Sequence, residues 1–290
     1  MQLGRNRAGL RGPSARRSAG CAALATLVVA GLGSAALVRS APLATSVLRP
    51  DPGAEPAALI SAVPRPTSPV RLVVLGDSVA SGAGCSCEPF GQLLSTSLAA
   101  VSKRPVTFTN AARDGLTTQG LLDQLQGPVV ERALTSATLV TVTIGANDFD
   151  PDLADNTDCL GPSAAACFRS RLTSYRALLR AVLARLRTQA PASRILVTGY
   201  WNVFLDGDVG WQHGQTYVQV SDALTKTVNA EIAQQASAVG ATYVDLYVPF
   251  EQQSLSGLTA LLAPDGDHPS ASGHQLISRT LFDAAAQPAR

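Results

Sequence analysis

The 290-residue chain has very little lysine and little charge of either sign. Lys103 and Lys226 are its lysines, and charged residues make up only 15% of the chain, against 46% hydrophobic residues. Residues 1–65 carry eight arginines and two acidic residues, a charge of +6 in a chain of net +2, which leaves −4 for residues 66–290. A mildly acidic main segment without a basic stripe excludes a nucleic-acid-binding function.

The first 39 residues have the composition of a targeting segment. Five arginines precede residues 18–38, SAGCAALATLVVAGLGSAALV, which contain no charge. A basic stretch followed by an apolar run is typical of a secretion signal, but this run is also long enough to cross a bilayer. We expect residues 1–39 to be a signal peptide or an N-terminal membrane anchor. In either case the protein is secreted or extracytoplasmic, with membrane association through residues 18–38 if the segment is retained.

Prolines are concentrated in residues 40–69, where seven of the 18 prolines occur among Ser, Thr and Ala. Such a composition buries little apolar surface and is typical of a disordered linker. We therefore expect the folded domain to comprise residues 70–290.

Cysteine is also scarce, and apart from Cys21 in the targeting segment there are four: Cys85, Cys87, Cys159 and Cys167. An even number in an exported chain predicts disulfides. Cys159 could close a local loop with Cys167, which would leave Cys85 for Cys87, and pairing between the two loops is the alternative. Zinc sites with four thiols usually contain two Cys-x-x-Cys pairs. Cys85 and Cys87 have the spacing Cys-x-Cys instead, so we expect no metal.

Five apolar runs rich in β-branched residues alternate with stretches of helical periodicity. This alternation is typical of a parallel sheet covered by helices on both faces. We predict an α/β domain, a three-layer α/β/α sandwich with a five-stranded parallel sheet. The predicted strands are 71–76, 106–112, 137–145, 194–200 and 242–247, and the predicted helices are 90–101, 117–125, 169–189, 216–239 and 271–286.

The three histidines are His213, His268 and His274. His268 lies in a turn-forming segment before the last helix, three residues after Asp265. A carboxylate at this spacing can accept the Nδ1–H of the ring and leave Nε2 free as a base. The same segment could also serve only to begin the last helix, and we expect His213 and His274 to be structural.

A nucleophile and hydrogen-bond donors follow three of the predicted strands. Ser78 follows the first strand, and the small residues after it leave its hydroxyl exposed at the carboxyl edge of the sheet, where ligands bind. Acyl transfer also needs donors for an oxyanion. The backbone N–H groups of Ser78 and Gly115 and the side-chain amide of Asn147 could supply them. Taken alone, Ser78 and Asn147 are also explained by turn chemistry, and Gly115 by the entry to a helix.

Four segments in order, GDSVASGAG, NAARDGLTT, GAND and DGDHPSASGH, resemble the signature blocks of the SGNH hydrolases, also called GDSL esterases and lipases. The resemblance covers residues 70–285 and implies the flavodoxin-like fold of that family. It implies that Ser78 is the nucleophile, His268 the general base and Asp265 its orienting carboxylate. Ser78, Gly115 and Asn147 would form the oxyanion hole. The absent Gly-x-Ser-x-Gly elbow disfavours the α/β-hydrolase fold.

The resemblance implies a serine-dependent carboxylic ester hydrolase, an esterase or lipase, that works through an acyl-enzyme and needs no cofactor. We expect a monomer that acts on small-molecule or lipid esters, including acyl-glycan esters, outside the cytoplasm. An acyltransferase or carbohydrate O-deacetylase on the same scaffold is the alternative, and a non-catalytic envelope-binding protein is disfavoured. The aromatic segment 200–214 offers Trp201, Phe204 and Trp211 as substrate-binding candidates, although simple packing of a long loop would explain them as well.

Overall fold

The computed structural model describes residues 68–149, 153, 157–160 and 164–287. The predicted signal peptide or anchor and the linker up to residue 67 lie outside the described residues. Within the described ranges, no helix combines the length and the apolar character needed to cross a bilayer.

A five-stranded parallel sheet forms the centre of the domain, as the apolar runs predict. The order across the sheet is β2-β1-β3-β4-β5, and each neighbouring pair is parallel. The strands are β1 Val70–Gly76, β2 Val106–Asn110, β3 Leu139–Thr143, β4 Arg194–Thr198 and β5 Thr242–Val244.

Helices connect the strands and cover the sheet. The described helices are α1 Ser78–Ser81, α2 Phe90–Ser102, α3 Thr118–Gln124, α4 Pro128–Thr135, α5 Ala164–Cys167, α6 Arg169–Gln189, α7 Gly207–Gln212, α8 Gln215–Ala238, α9 Tyr247–Glu251, α10 Leu255–Leu261 and α11 Ala271–Ala286. Helices α2 and α11 pack on each other, and α6 packs against α3, α4 and α8. The three layers confirm the predicted α/β/α sandwich.

The order of the strands creates a crevice at one edge of the sheet. The chain passes from β1 to β2 in one direction and then returns to place β3 on the other side of β1. Right-handed crossovers therefore bring the intervening helices onto opposite faces, and a crevice opens at the carboxyl ends of β1 and β3. Ligand sites in open α/β sheets occupy this position.

Burial and length explain which strands and helices could be predicted from the sequence pattern. Strands β1 and β3 are buried over most of their length, and the long helices α6 and α11 begin and end at the predicted residues. Helices α1, α4, α5, α7, α9 and α10 are not predicted from the sequence. Each has eight residues or fewer, which is too short for a helical period to stand out.

Candidate active site

A cleft lies in the crevice at the carboxyl edge of the sheet, with a cavity volume of about 290 Å³. Its walls come from segments that follow all five strands, so residues distant along the chain meet there. The lining residues are Ser78, Val79, Ala83, Asp114, Gly115, Ala146, Asn147, Val203, Phe204, Asp267 and His268.

Ser78 lies in the cleft because β1 ends abruptly beneath it. Gly76 has a φ of +138°, and a Cβ at this position would collide with the carbonyl of Thr143 on the neighbouring strand, so only glycine fits there. Asp77 then caps α1, with its Oδ1 accepting the N–H of Val79 at 3.1 Å. Ser78 is the first residue of that helix and therefore stands at the edge of the sheet.

Asp77 is fully buried below Ser78, and Tyr200 satisfies its second oxygen. The Tyr200 hydroxyl donates to Asp77 Oδ2 at 2.5 Å. Burial raises the pKa of Asp77 to about 7, against the opposing effect of the hydrogen bonds from Tyr200 and Val79. The sequence analysis missed this contact, because Tyr200 follows β4 and lies 123 positions from Asp77.

Removing the Tyr200 hydroxyl should destabilise the turn that carries Ser78. We expect Tyr200→Phe to lower the free energy of unfolding by about 1.5–3 kcal/mol, since a buried carboxyl loses a donor. The pKa of Asp77 is raised to about 7 in the folded protein. Protonation of Asp77 therefore adds to the free energy of unfolding, fully below pH 4, and this contribution is lost as the pH rises towards 7. The hydroxyl stabilises the ionised form most, so the loss should be larger at pH 8 than at pH 5 in urea unfolding.

Tyr247→Phe is the matched control for this experiment. Its hydroxyl also donates to a carboxylate at 2.5 Å, that of Asp222, but both residues are partly exposed. We expect a smaller loss there. Equal losses in the two variants at both pH values would contradict a special role for the buried pair.

The turn before α11 holds His268 against Asp265. The Nδ1 of His268 lies 2.9 Å from Asp265 Oδ2, while Oδ1 of the same carboxylate accepts the backbone N–H groups of His268 at 3.2 Å and Asp267 at 3.3 Å. Gly84 packs directly on this pair, and a Cβ there would come within 2.6 Å of the Cβ of His268. The carboxylate is thereby fixed in place, and it orients the ring.

A second carboxylate lies at the same ring nitrogen. Asp267 Oδ1 is 2.6 Å from His268 Nδ1. Asp267 and Asp265 raise the pKa of His268 to about 9, against the effect of partial burial. Burial opposes ionisation of Asp265, but the hydrogen bonds and charge of His268 outweigh it and hold the pKa of that carboxyl below its usual value.

Three donor groups face the cleft from different loops. Among the described residues, the backbone N–H groups of Ser78 and Gly115 have no acceptor. The amide of Asn147 donates one hydrogen to the carbonyl of Leu116 at 3.1 Å, which orients the side chain and leaves its second hydrogen available. These three groups can therefore stabilise a negative oxygen.

Asp148 ties the Asn147 loop to the loop after β2. Its Oδ2 accepts the backbone N–H of Thr118 at 3.0 Å and the Thr118 hydroxyl at 2.9 Å. Burial raises the pKa of Asp148 above its ordinary value, against those hydrogen bonds. Asp148 thus helps to hold Asn147 and Gly115 in one arrangement, a role that the sequence analysis did not assign.

The aromatic segment after β4 is divided between the core and the surface. Phe204 lines the cleft. Trp201 does not, because it is fully buried and stacks on Phe250 with ring centroids 4.4 Å apart. Trp211 is 49% exposed and lies outside the lining. The loop is folded into the domain instead of lying over the cleft, which explains why only one of the three predicted side chains reaches it.

The four described cysteines form two local pairs in the structure. Cys85 is paired with Cys87, with Cα atoms 5.2 Å apart, and Cys159 with Cys167 at 5.6 Å. This is the local scheme among those that the sequence leaves open.

Two clusters of potential metal ligands occur among the described residues, and neither is ready to bind an ion. In the first, Cys85 and Cys87 are paired with each other near His274, whose Nδ1 accepts the N–H of Phe90 at 3.2 Å. In the second, Asp265 and Asp267 both face the Nδ1 of His268. A metal could bind this nitrogen only by displacing its proton, which the two carboxylates stabilise.

Comparisons with known proteins agree with this architecture. Residues 74–276 match the model of the GDSL-like lipase/acylhydrolase family. The chain is 28% identical to Lipase 1 of Streptomyces coelicolor over 238 residues, which are 72% of this chain and 84% of that protein.

Solved structures show the same fold at lower identity. The lipase Lip_vut3 from a goat rumen metagenome superposes with a TM-score of 0.61 at 18% identity, over 76% of this chain and all of that one. An extracellular lipase from Streptomyces rimosus has a TM-score of 0.58 at 23% identity, over 75% of this chain and all of that one.

The sheet, the cleft at its carboxyl edge and the family match define the class of protein. It is an enzyme that hydrolyses ester bonds. The chain belongs to the GDSL-like lipase/acylhydrolase family.

Proposed function

We propose that this enzyme is a serine-dependent carboxylic ester hydrolase in which Ser78 is the nucleophile, His268 the general base and Asp265 the carboxylate that orients it. One observation carries the assignment. Ser78, His268, Gly115 and Asn147 follow four different strands, yet they line one cleft. A hydroxyl, an oriented imidazole and oxyanion donors are the groups that acyl transfer requires.

The reaction has two steps. Ser78 Oγ attacks the ester carbonyl carbon while His268 Nε2 takes the hydroxyl proton, and the carbonyl oxygen becomes an oxyanion. The tetrahedral intermediate collapses, the alcohol leaves with the proton from His268, and the acyl group stays on Ser78. Water then attacks the acyl-enzyme with His268 again as the base, which releases the acid and regenerates Ser78.

Asp265 and the donor groups support both steps. The Asp265 carboxylate bonded to Nδ1 holds the ring in the tautomer whose Nε2 can accept a proton. The N–H groups of Ser78 and Gly115 and the amide of Asn147 stabilise the oxyanion. Each well-placed donor contributes about 3–4 kcal/mol to the transition state.

The composition of the cleft supports an uncharged ester as the substrate. Its lining includes the acidic side chains of Asp114 and Asp267, and neither Lys nor Arg is among the described lining residues. Small and apolar side chains, such as Val79, Ala146 and Phe204, provide the remaining contacts. A cavity of about 290 Å³ is at the low end for small-molecule sites. We therefore infer that short acyl groups on neutral alcohols, including acylated sugars or glycerides, are the preferred substrates.

The extracytoplasmic location is part of the same proposal. A basic and then apolar segment precedes the domain, and one structural relative is an extracellular lipase. We infer that the protein is exported and that the pairs Cys85–Cys87 and Cys159–Cys167 are oxidised there.

Labelling with a fluorophosphonate tests the proposed nucleophile. The probe should modify one residue, Ser78, and abolish hydrolysis of p-nitrophenyl esters in proportion to the labelling. Modification of a different serine, or full activity after stoichiometric labelling, would contradict the assignment.

A substrate panel tests the proposed preference. We expect kcat/KM to be higher for acetyl and butyryl esters of p-nitrophenol than for the palmitoyl ester. A neutral short-chain ester should also exceed one whose acyl group ends in a carboxylate, and added salt should reduce that difference, because salt screens exposed charges. A preference for palmitoyl or anionic esters would contradict the inference. Transfer of the acyl group to an added alcohol would identify the acyltransferase alternative.

A further inference from the structure

Asp267 has no part in the reaction described above, yet its carboxylate lies closer to the imidazole than that of Asp265. The distance from His268 Nδ1 is 2.6 Å to Asp267 Oδ1 and 2.9 Å to Asp265 Oδ2. Asp267 also lines the cleft. Its Oδ1 is shielded from solvent and receives no directed hydrogen bond from the described residues.

The two carboxylates differ in what holds them. Asp265 Oδ1 accepts two backbone N–H groups, so Oδ2 is presented rigidly to the ring. The Nδ1 of His268 carries one hydrogen, and it meets the geometry of a hydrogen bond towards Asp265. Asp267 Oδ1 contacts the same nitrogen outside that alignment, and this short polar contact, together with the charge of Asp267, is the largest influence that raises the pKa of His268.

We propose that Asp267 is a positioning residue in addition to Asp265. Its carboxylate acts through His268 and sets the pH range in which the hydrolase works. The inference rests on the proposed role of His268 as the general base. The negative charge at Nδ1 stabilises the imidazolium, which is the form that cannot accept the proton of Ser78. It therefore moves the acid limb of the activity profile to higher pH.

The other groups around His268 do not replace Asp267 in this role. Asp77 at the end of β1 is ionised above about pH 7, but its two oxygens accept hydrogen bonds from Val79 and Tyr200 instead of facing Nδ1. Burial also lowers the pKa of His274 on α11 to about 4, so that ring stays uncharged at neutral pH. Asp114 lines the same cleft, but its carboxylate bonds the hydroxyl of Ser81. Asp265 and Asp267 are therefore the charges that act at Nδ1, and they raise the pKa of His268 to about 9.

The test is the pH dependence of kcat/KM in Asp267→Asn. Since an opposite charge at this distance shifts a pKa by about 1–3 units, the acid limb should move down by about one unit or more. Well below the limb, the fraction of neutral His268 rises about tenfold per unit, so the variant should be several-fold more active than wild type near pH 7. On the alkaline plateau it should be equal or slower, because a weaker base accelerates the step less.

Asp114→Asn is the matched control, since it removes the same charge from the same cleft without touching Nδ1. We expect a smaller shift of the acid limb in that variant. Asp267→Ser should reproduce the shift of Asp267→Asn, which separates the loss of charge from an effect of the new amide.

The titration of the ring itself gives a second readout. NMR of the His268 imidazole in Ser78→Ala, with and without Asp267→Asn, should show the same downward shift without any turnover. An unchanged ring pKa, or a shift no larger than that of Asp114→Asn, would overturn the proposal while leaving the catalytic assignment intact. A fully active Ser78→Ala protein would instead remove the assignment on which it rests.

Discussion

Ser78→Ala should reduce kcat for p-nitrophenyl ester hydrolysis by a factor on the order of 10⁵, to the limit set by the oxyanion donors and binding alone. Without the Ser78 hydroxyl the enzyme has no side-chain nucleophile to accept the acyl group, and the covalent route is lost. The remaining donors still contact the carbonyl oxygen, so a small rate above that in water should persist. Steady-state kinetics with an acetyl ester measures the effect.

The fold should survive this change. Ser78 is a partly exposed first residue of α1, and the cap from Asp77 to Val79 does not involve its side chain. Circular dichroism and the thermal midpoint should therefore match those of wild type. Ser86→Ala, an exposed serine on the neighbouring loop, serves as the control and should retain activity. If Ser78→Ala kept more than a few per cent of wild-type kcat, Ser78 would not be the nucleophile.

Asp265→Asn should have the second-largest effect, a loss of about 10⁴-fold in kcat near neutral pH, the size seen when a triad carboxylate becomes an amide. The carboxylate accepts the Nδ1 hydrogen, and an asparagine can instead present its own N–H to that nitrogen. The ring then carries its hydrogen on Nε2, where it cannot accept the proton of Ser78. The measurement is kcat over a range of pH, with substrate binding followed separately through KM.

Asp267→Asn is the matched comparison for Asp265→Asn. Both variants remove one negative charge within 3 Å of the same ring nitrogen. Only Asp265 is fixed by two backbone N–H groups and aligned with the Nδ1 hydrogen, so only its loss should abolish activity at every pH. If Asp265→Asn stayed within tenfold of wild type while Asp267→Asn lost activity, the orienting role would belong to Asp267.

The architecture could be predicted from the sequence because the order of apolar and polar residues along the chain follows the pattern of burial in the fold. Strand β1 contains the apolar run Leu72–Leu75, β3 consists of apolar and β-branched residues that are all buried, and α6 keeps its helical period for 21 residues. In a parallel sheet the ends of the strands converge at one edge. The motifs at those ends could therefore be expected at a common cleft, and Ser78, Gly115, Asn147 and His268 do line one.

The tertiary structure alone decided how the loop side chains are directed. The aromatic segment after β4 could line a pocket or pack inward, and the choice depends on a partner, Phe250, that lies far along the chain. The bond from Tyr200 to Asp77 and the approach of Gly84 to His268 likewise join segments that have no relation in sequence. Even the neighbours Asp265 and Asp267 are distinguished only by backbone hydrogen bonds in the folded turn. Apolar periodicity specifies which face of an element is buried, whereas the direction of a polar side chain in a loop depends on long-range contacts that the local sequence does not contain.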